Sequence, residues 1–426
     1  MNYRSTRHRV SPAPFSAAML GGLAPDGGLY VPERFARFER GSIGDEPDFA
    51  KIAGLVLRPY LDGDALAGEL DEICRTAFDF PVPLEPLRDE TAVLELYQGP
   101  TSAFKDFGAR FLAECTTRRL QAGSPPPPLT VLVATSGDTG GAVAAAFHRR
   151  AGIRVAILYP RGGVSERQEQ QLACWGDNVL TLAVRGTFDD CQRVVKSAFR
   201  DGRLATRHRL TSANSINIGR LLPQMAYYAA GSEGYLARTG HEAGFIVPTG
   251  NVGNVAAAFW ARASGFPIRE IVLATNANRV IPDWYDRSEW RPRRSVATLA
   301  NAMDVGDPSN MERLFDLFPH GEGLRQISRA GSVDDDTIRR VIAAGPVSWG
   351  RVWCPHTATA VHLRETIGTP HWVVVATAHP AKFDTIVEPL IGRSVEPPPR
   401  LAELLERPRQ VTEIEAELDA LDRALS

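Results

Sequence analysis

Short apolar runs rich in Val and Ile alternate with alanine-rich stretches through the middle of the chain. LTVLVAT (129–135) gives way to GGAVAAAFHRRAG (140–152), and IRVAILYP (153–160) to the polar segment SERQEQQLACWG. NVLTLAV (178–184) precedes FDDCQRVVKSAFRDG, and AGFIVPTG (243–250) precedes NVAAAFWARASG. IREIVLATN (268–276) and HWVVVAT (371–377) read as further strands. Continuous apolar strands separated by helices indicate parallel sheets covered on both faces. The pattern predicts an α/β fold.

The ends of the chain read differently. Residues 1–90 carry mostly helical pattern and turns, such as APDGGLYVPERF, with little strand signal. The final stretch, LAELLERPRQVTEIEAELDALDRALS, reads as a charged amphipathic helix broken at Pro408. Proline runs at 123–129 (GSPPPPL) and 396–401 (EPPPRL) read as extended loops. These changes set residues 1–90 and 396–426 apart from the body of the chain.

Composition narrows the function. The 426 residues are 44% hydrophobic and 23% charged, with a net charge of -2. That balance argues against a nucleic-acid binder or a polybasic membrane patch. No apolar run is long enough for a membrane span, and no signal peptide is read at the N-terminus. Five scattered cysteines without a CxxC argue against a disulfide framework or a zinc site and fit a reducing cytoplasm.

Three stretches carry candidate chemistry. GNVGN (250–254) follows one strand and opens a helix, the form of a phosphate-holding turn. TSGDTGG (135–141) stands in the same kind of place and can hold a carboxylate or phosphate; ordinary helix capping by Ser136, Asp138 or Thr139 is the competing reading. In GPTSAFKDFGARFL, Lys105 sits between Phe104 and Phe107. Desolvation there would lower its pKa and make the amine nucleophilic. The competing reading is a snorkelling lysine paired with Asp106. Together, a lysine and two anion loops on parallel sheets are the parts of a pyridoxal-phosphate enzyme.

The same segments, with others in order, resemble the threonine synthase family of fold type II, tryptophan-synthase-like pyridoxal-phosphate enzymes. The resemblance runs through YRSTR (3–7), GLAPDGGLYVPE (22–33), LELYQGPTSAFKDFGARFLA (94–113), SGDTGGA and ANSINIGRLLPQMAYY (213–228). It continues through PTGNVGN, ATNAN (274–278), MDVGDPSNMERLF (303–315), CPHTATAV (354–361) and TAHPAKF (377–383).

The resemblance implies two parallel-sheet α/β domains with the cofactor between them, plus a mostly helical N-terminal region. The smaller domain would fall in 91–225 and the larger in 226–395, with a C-terminal helix in 396–426. It implies O-phospho-L-homoserine as substrate, converted with water to L-threonine and phosphate by γ-elimination and β-hydration. Lys105 would be the Schiff-base lysine and the Cα proton shuttle, with Phe104 beside the cofactor. Gly250, Asn251, Val252, Gly253 and Asn254 would cradle the cofactor phosphate, and the Thr377 hydroxyl would face the pyridine nitrogen. Thr101, Ser102, Ser136, Gly137, Asp138 and Thr139 would line the substrate side. Asn214, Ser215, Asn217 and Arg220 would close over the substrate, with Arg220 on its phosphate. No metal is implied, Lys382 and His379 read as structural, and the expected state is a cytoplasmic monomer or homodimer.

Three positions depart from the family pattern. Val252 replaces an aromatic, Ile218 follows Asn217 where a tryptophan is usual, and His8 stands where glycine is common. Residues 279–300 match the pattern loosely. Two alternatives stay open at this stage. One is a related β/γ-elimination or replacement lyase on another activated amino acid, in specialised metabolism. The other is a non-catalytic relative.

Overall fold

The computed structural model describes residues 1–44, 46–122 and 128–426. Most of the expected proline loop at 123–129 lies outside the described residues. Two sheets organise the rest. The six-stranded sheet runs Ser328–Ser332, Ile268–Thr275, Ala243–Pro248, Trp372–Ala376, Thr91–Glu95, Leu84–Pro86. Its pairings are parallel except at the Leu84–Pro86 edge. The five-stranded sheet is parallel throughout, in the order Thr412–Glu415, Val179–Arg185, Ile153–Pro160, Leu129–Ala134, Leu210–Ser212. Leu129–Ala134 and Ala243–Pro248 are buried at every position, as sheets covered on both faces require.

The strands do not divide in the order of the chain. Thr91–Glu95 precedes Lys105, yet it pairs with Trp372–Ala376 in the six-stranded sheet rather than with the strands of 129–212. Thr412–Glu415 returns to the edge of the five-stranded sheet beside Val179–Arg185. The single helix expected at the C-terminus is therefore corrected to helix Pro399–Leu405, strand Thr412–Glu415 and helix Leu418–Leu425. Only Ile414 of that strand is buried, and its backbone pairing, invisible to hydrophobic periodicity, makes it a strand.

The N-terminal block also gains strands. Ala13–Pro14, Asn2–Ser5 and Tyr30–Pro32 form a small antiparallel sheet too short to show a period of two. The Tyr3 hydroxyl donates to the Tyr60 carbonyl at 2.9 Å, and the Tyr60 and Ser264 hydroxyls meet at 2.6 Å. The first bond braces the block and the second ties it to the body. The polar segment SERQEQQLACWG becomes helix Glu166–Ala173, started by a Ser165–Gln168 capping box.

Candidate active site

A cavity of about 1580 Å³ opens where the C-terminal ends of both sheets' strands converge. Phe104, Lys105, Ser136, Asp138, Thr139, Asn214, Ser215, Arg220, Gly250 to Asn254 and Thr377 all line it. Residues spread over 274 positions thus share one space. Thr101, Ser102, Gly137 and Asn217 do not line it.

Lys105 is the first residue of helix Lys105–Gln121. The preceding turn is tied to the six-stranded sheet: the Phe104 N–H donates to the Thr377 carbonyl at 2.8 Å, and Ala103 bridges Ala378. Lys105 Nζ lies 4.7 Å from the centre of the Phe104 ring. Phe107 turns the other way, into a cluster with Phe49, Phe78, Phe80 and Tyr227. Burial pulls the Lys105 ammonium down to about 8; Asp138 opposes that shift, while Lys382 and Arg220 reinforce it.

The surface pairing of Lys105 with Asp106 is corrected. The Asp106 carboxylate is fully buried and accepts from the Thr101 N–H at 2.8 Å and the Thr101 hydroxyl at 2.7 Å. That use of its hydroxyl keeps Thr101 out of the cavity. Ser102, buried at φ 55, has its carbonyl taken by the His379 N–H at 3.0 Å.

The turn Gly250 to Asn254 starts helix Gly253–Ala263 with Val252 left-handed at φ 66. A Cβ at Gly250 would stand 2.7 Å from Met303 Cα. Asn251 Nδ2 donates to Ser215 Oγ at 2.7 Å, and Asn251 Oδ1 accepts from the Ser309 N–H at 2.7 Å. The Tyr227 and Tyr228 hydroxyls donate to Asn254 Oδ1 at 2.6 and 2.8 Å. Asn254 Nδ2 is left buried and without a partner among the described residues.

In the second loop, Thr135 Oγ1 accepts from the Gly137 and Gly140 N–H groups at 3.0 and 2.9 Å. Gly137 takes φ 130, a conformation open to glycine. Ser136 and Thr139 face the cavity, but the Asp138 carboxylate is paired with Lys382 at 2.9 Å. Lys382, read from sequence as structural, thus stands behind the cavity lining, bonded to a residue that lines it.

Asn217 caps helix Ile218–Leu221, accepting from the Gly219 N–H at 2.8 Å and donating to Met19 and Ser212 carbonyls at 2.9 and 2.8 Å. Its amide is saturated, which explains its absence from the lining. Arg220 is buried, donates through Nη1 to the Ala213 carbonyl at 2.5 Å, and leaves Nε without a partner among the described residues. Burial lowers its pKa to about 10.

Other lining residues were not singled out from sequence. Gln192, Val195, Lys196 and Phe199 lie on one face of helix Phe188–Arg200, a three-and-four spacing legible in FDDCQRVVKSAFR. His356 is buried, accepts from the Ala302 N–H at 3.1 Å through Nε2, and is pushed down to about 4 chiefly by burial. No motif marked it.

Residues 81–378 match the family described as pyridoxal-phosphate dependent enzyme. Residues 2–78 match threonine synthase N terminus, and residues 357–424 match threonine synthase, C-terminal. Threonine synthase of Escherichia coli (strain K12) is 37% identical, over 100% of this chain and 98% of its own length. The chain belongs to the threonine synthase family. Threonine synthase of Serratia marcescens is 38% identical, over 96% of this chain and 94% of that protein. The crystal structure of the Escherichia coli threonine synthase superposes with a TM-score of 0.92 at 35% identity, covering 99% of each chain. The PLP-bound threonine synthase of Brucella melitensis gives 0.92 at 33% identity, over 100% of this chain and 98% of that one.

The cofactor of this threonine synthase family member is pyridoxal phosphate, and the residues present fit it. The amine at 105 is depressed, the Gly250 position has no room for a Cβ, and Asn254 Nδ2 is an orphaned donor at a helix start. First-turn N–H groups of helix Gly253–Ala263 have no intrahelical acceptors. The fold is α/β of fold type II.

Proposed function

We propose that this chain converts O-phospho-L-homoserine and water to L-threonine and phosphate, with Lys105 as its catalytic amine. The observation that carries the reading is the convergence, in one cavity, of Lys105, the turn 250–254 and the loop 136–139. Two separate anion sites suit a site that must hold two phosphates, the cofactor's and the substrate's.

Pyridoxal phosphate, when bound, supplies the electron sink that stabilises negative charge at the substrate Cα. Lys105 Nζ would hold the cofactor and, as a free amine with substrate bound, would take the substrate Cα proton and later return it. Its lowered proton affinity supports this role, because a base must be neutral to accept a proton. The turn Gly250, Asn251, Val252, Gly253, Asn254 would hold the cofactor phosphate through backbone N–H groups and Asn254 Nδ2. Thr377 would offer its hydroxyl to the cofactor's pyridine nitrogen, and Phe104 would pack beside its ring.

Ser136, Thr139, Asn214 and Ser215 bind the substrate's carboxylate and phosphate. Arg220 supplies positive charge behind them. Thr101, Ser102, Gly137 and Asn217 act one step back, by fixing the loops that carry these groups. Asp138 serves the site through Lys382 rather than by touching substrate. The partner is the small-molecule substrate, with no role for nucleic acid or membrane; among the described residues no helix is long and apolar enough to cross one. The same reading makes the enzyme a cytoplasmic monomer or homodimer.

The test is a phosphate-release assay with O-phospho-L-homoserine, with the amino-acid product identified by mass and chromatography. Equal amounts of threonine and phosphate support the reading. A cofactor-loaded protein that releases neither refutes it.

A further inference from the structure

Beside Lys105 lies an ion pair withdrawn from water. Lys382 Nζ stands 2.9 Å from Asp138 Oδ1 and donates to the Thr101 carbonyl at 2.8 Å. The two side chains are 1% and 3% exposed. The pair joins three segments. Asp138 opens helix Asp138–Phe147 behind the five-stranded sheet. Lys382 lies in the turn Pro380–Phe383, just after strand Trp372–Ala376 of the six-stranded sheet. Thr101 belongs to the loop that leads into Lys105.

A buried pair of this kind is weak support for stability, because desolvating both ions offsets much of their attraction. Its place beside a reactive amine calls for a different account. We propose that the Asp138–Lys382 pair is a positioning device that tunes the charge state of Lys105 and holds the loop 136–139 in register with it. The proposal rests on Lys105 being the cofactor lysine.

Five groups act on Lys105 electrostatically. Asp138 favours its charged form most strongly, Lys382 and Arg220 oppose it, and the Cys354 thiol favours it weakly. His356 also interacts with Lys105 and is kept neutral by burial. Asp106 is turned away onto Thr101. The two members of the pair therefore act on Lys105 with opposite signs, and each masks the other. Lys382→Met would leave a bare carboxylate facing Lys105 and favour the ammonium. Asp138→Asn would leave Lys105 facing Lys382 and Arg220 without the carboxylate that most favours its charged form, and so favour the neutral amine. A pair that only braces the loops would give both variants the same defect.

The experiment follows the uptake of pyridoxal phosphate by full-length apoprotein through growth of the visible band, as a function of pH. Uptake needs a neutral lysine amine, so its midpoint reports Lys105. For Lys382→Met the midpoint is expected to rise by at least about one pH unit, and for Asp138→Asn to fall by a similar amount. Lys382→Arg, which keeps the charge, is expected to stay at the wild-type midpoint. The double variant Asp138→Asn/Lys382→Met should lie between the two single variants. Folded single variants that shift the same way, or not at all, overturn the proposal. If a single variant does not fold, Lys382→Arg and the double variant decide: a double variant displaced by more than about one pH unit from wild type refutes the mutual masking. Lys105→Ala is the control. A visible band that still grows in that protein refutes the lysine assignment itself, independently of the pair.

Discussion

The Phe104 N–H donates to the Thr377 carbonyl at 2.8 Å, so the residue before the lysine is bonded to the residue after strand Trp372–Ala376. Two chain segments more than 270 residues apart are thereby joined next to the reactive amine. Lys105 and the Thr377 hydroxyl are held on one rigid frame rather than on separate loops. The first consequence concerns the lysine itself.

Lys105→Ala should abolish the visible band of the cofactor-loaded protein and reduce phosphate release from O-phospho-L-homoserine by at least about 10³-fold. Absorption spectra and the phosphate assay on one preparation check both. Retention of both signals would place the covalent lysine elsewhere.

Burial of Lys105 has a cost that depends on pH. Its folded pKa is about 8, below the ordinary lysine value, so the unfolded chain binds more protons between about 8 and 10. Stability of the cofactor-free protein should therefore rise with pH across that window. Lys105→Met removes the penalty, and the apoprotein variant should be about 1–3 kcal/mol more stable than wild type at pH 7, with the advantage fading between pH 8 and 10. Denaturant unfolding of both proteins across that range measures it. An advantage that grows with pH would contradict the sign.

Gly250→Ala would drive a methyl group to 2.7 Å from Met303 Cα, against backbone that cannot rotate away. The turn must move to accommodate it, at about 1–3 kcal/mol. Cofactor affinity should fall by about tenfold or more, since 1.4 kcal/mol is tenfold in binding. Titration of apoprotein with pyridoxal phosphate reports the change, and an unchanged affinity would show that the turn does not hold the cofactor.

Arg313 is fully buried, with no carboxylate bonded to it among the described residues. It donates to the carbonyls of Tyr30 (3.1 Å), Ser215 (3.3 Å) and Ile216 (2.7 Å), and to Asn310 Oδ1. It thus ties the N-terminal sheet and the cavity segment 213–217 to helix Met311–Leu317. Arg313→Met leaves three carbonyls unpaired and should destabilise the protein by about 3–5 kcal/mol. The denaturant midpoint checks this; a loss under about 1 kcal/mol would mean that water or neighbouring donors replace the guanidinium.

Local pattern revealed the strands best where they are buried on both faces. Leu129–Ala134, Ile153–Pro160 and Ala243–Pro248 are nearly continuous apolar runs, and periodicity detects such runs directly. Tyr30–Pro32 and Thr412–Glu415 escaped because they are short or half exposed, and only their hydrogen-bonded partners make them strands. The site divides in the same way. Lys105, the turn 250–254 and the loop 136–139 stood out because glycine, lysine and hydroxyl residues after strands carry their chemistry locally. Thr101, Asn217 and Asp138 stand on the substrate side only by family resemblance, and sequence alone does not show where their polar atoms bond. Folding had already committed those atoms to Asp106, to Met19 and Ser212, and to Lys382.

By itself the sequence determined the α/β alternation, the two glycine turns and a lysine set between apolar neighbours. Each of these follows from backbone preference and side-chain chemistry within about a dozen neighbouring residues. Tertiary structure alone decided which strands share a sheet, which polar atoms remain free, and which charges face Lys105. Those outcomes depend on close approach between distant segments, as between Asp138 and Lys382 at 2.9 Å. No local pattern encodes that distance, because hydrogen bonding and desolvation act through space once the segments are packed together.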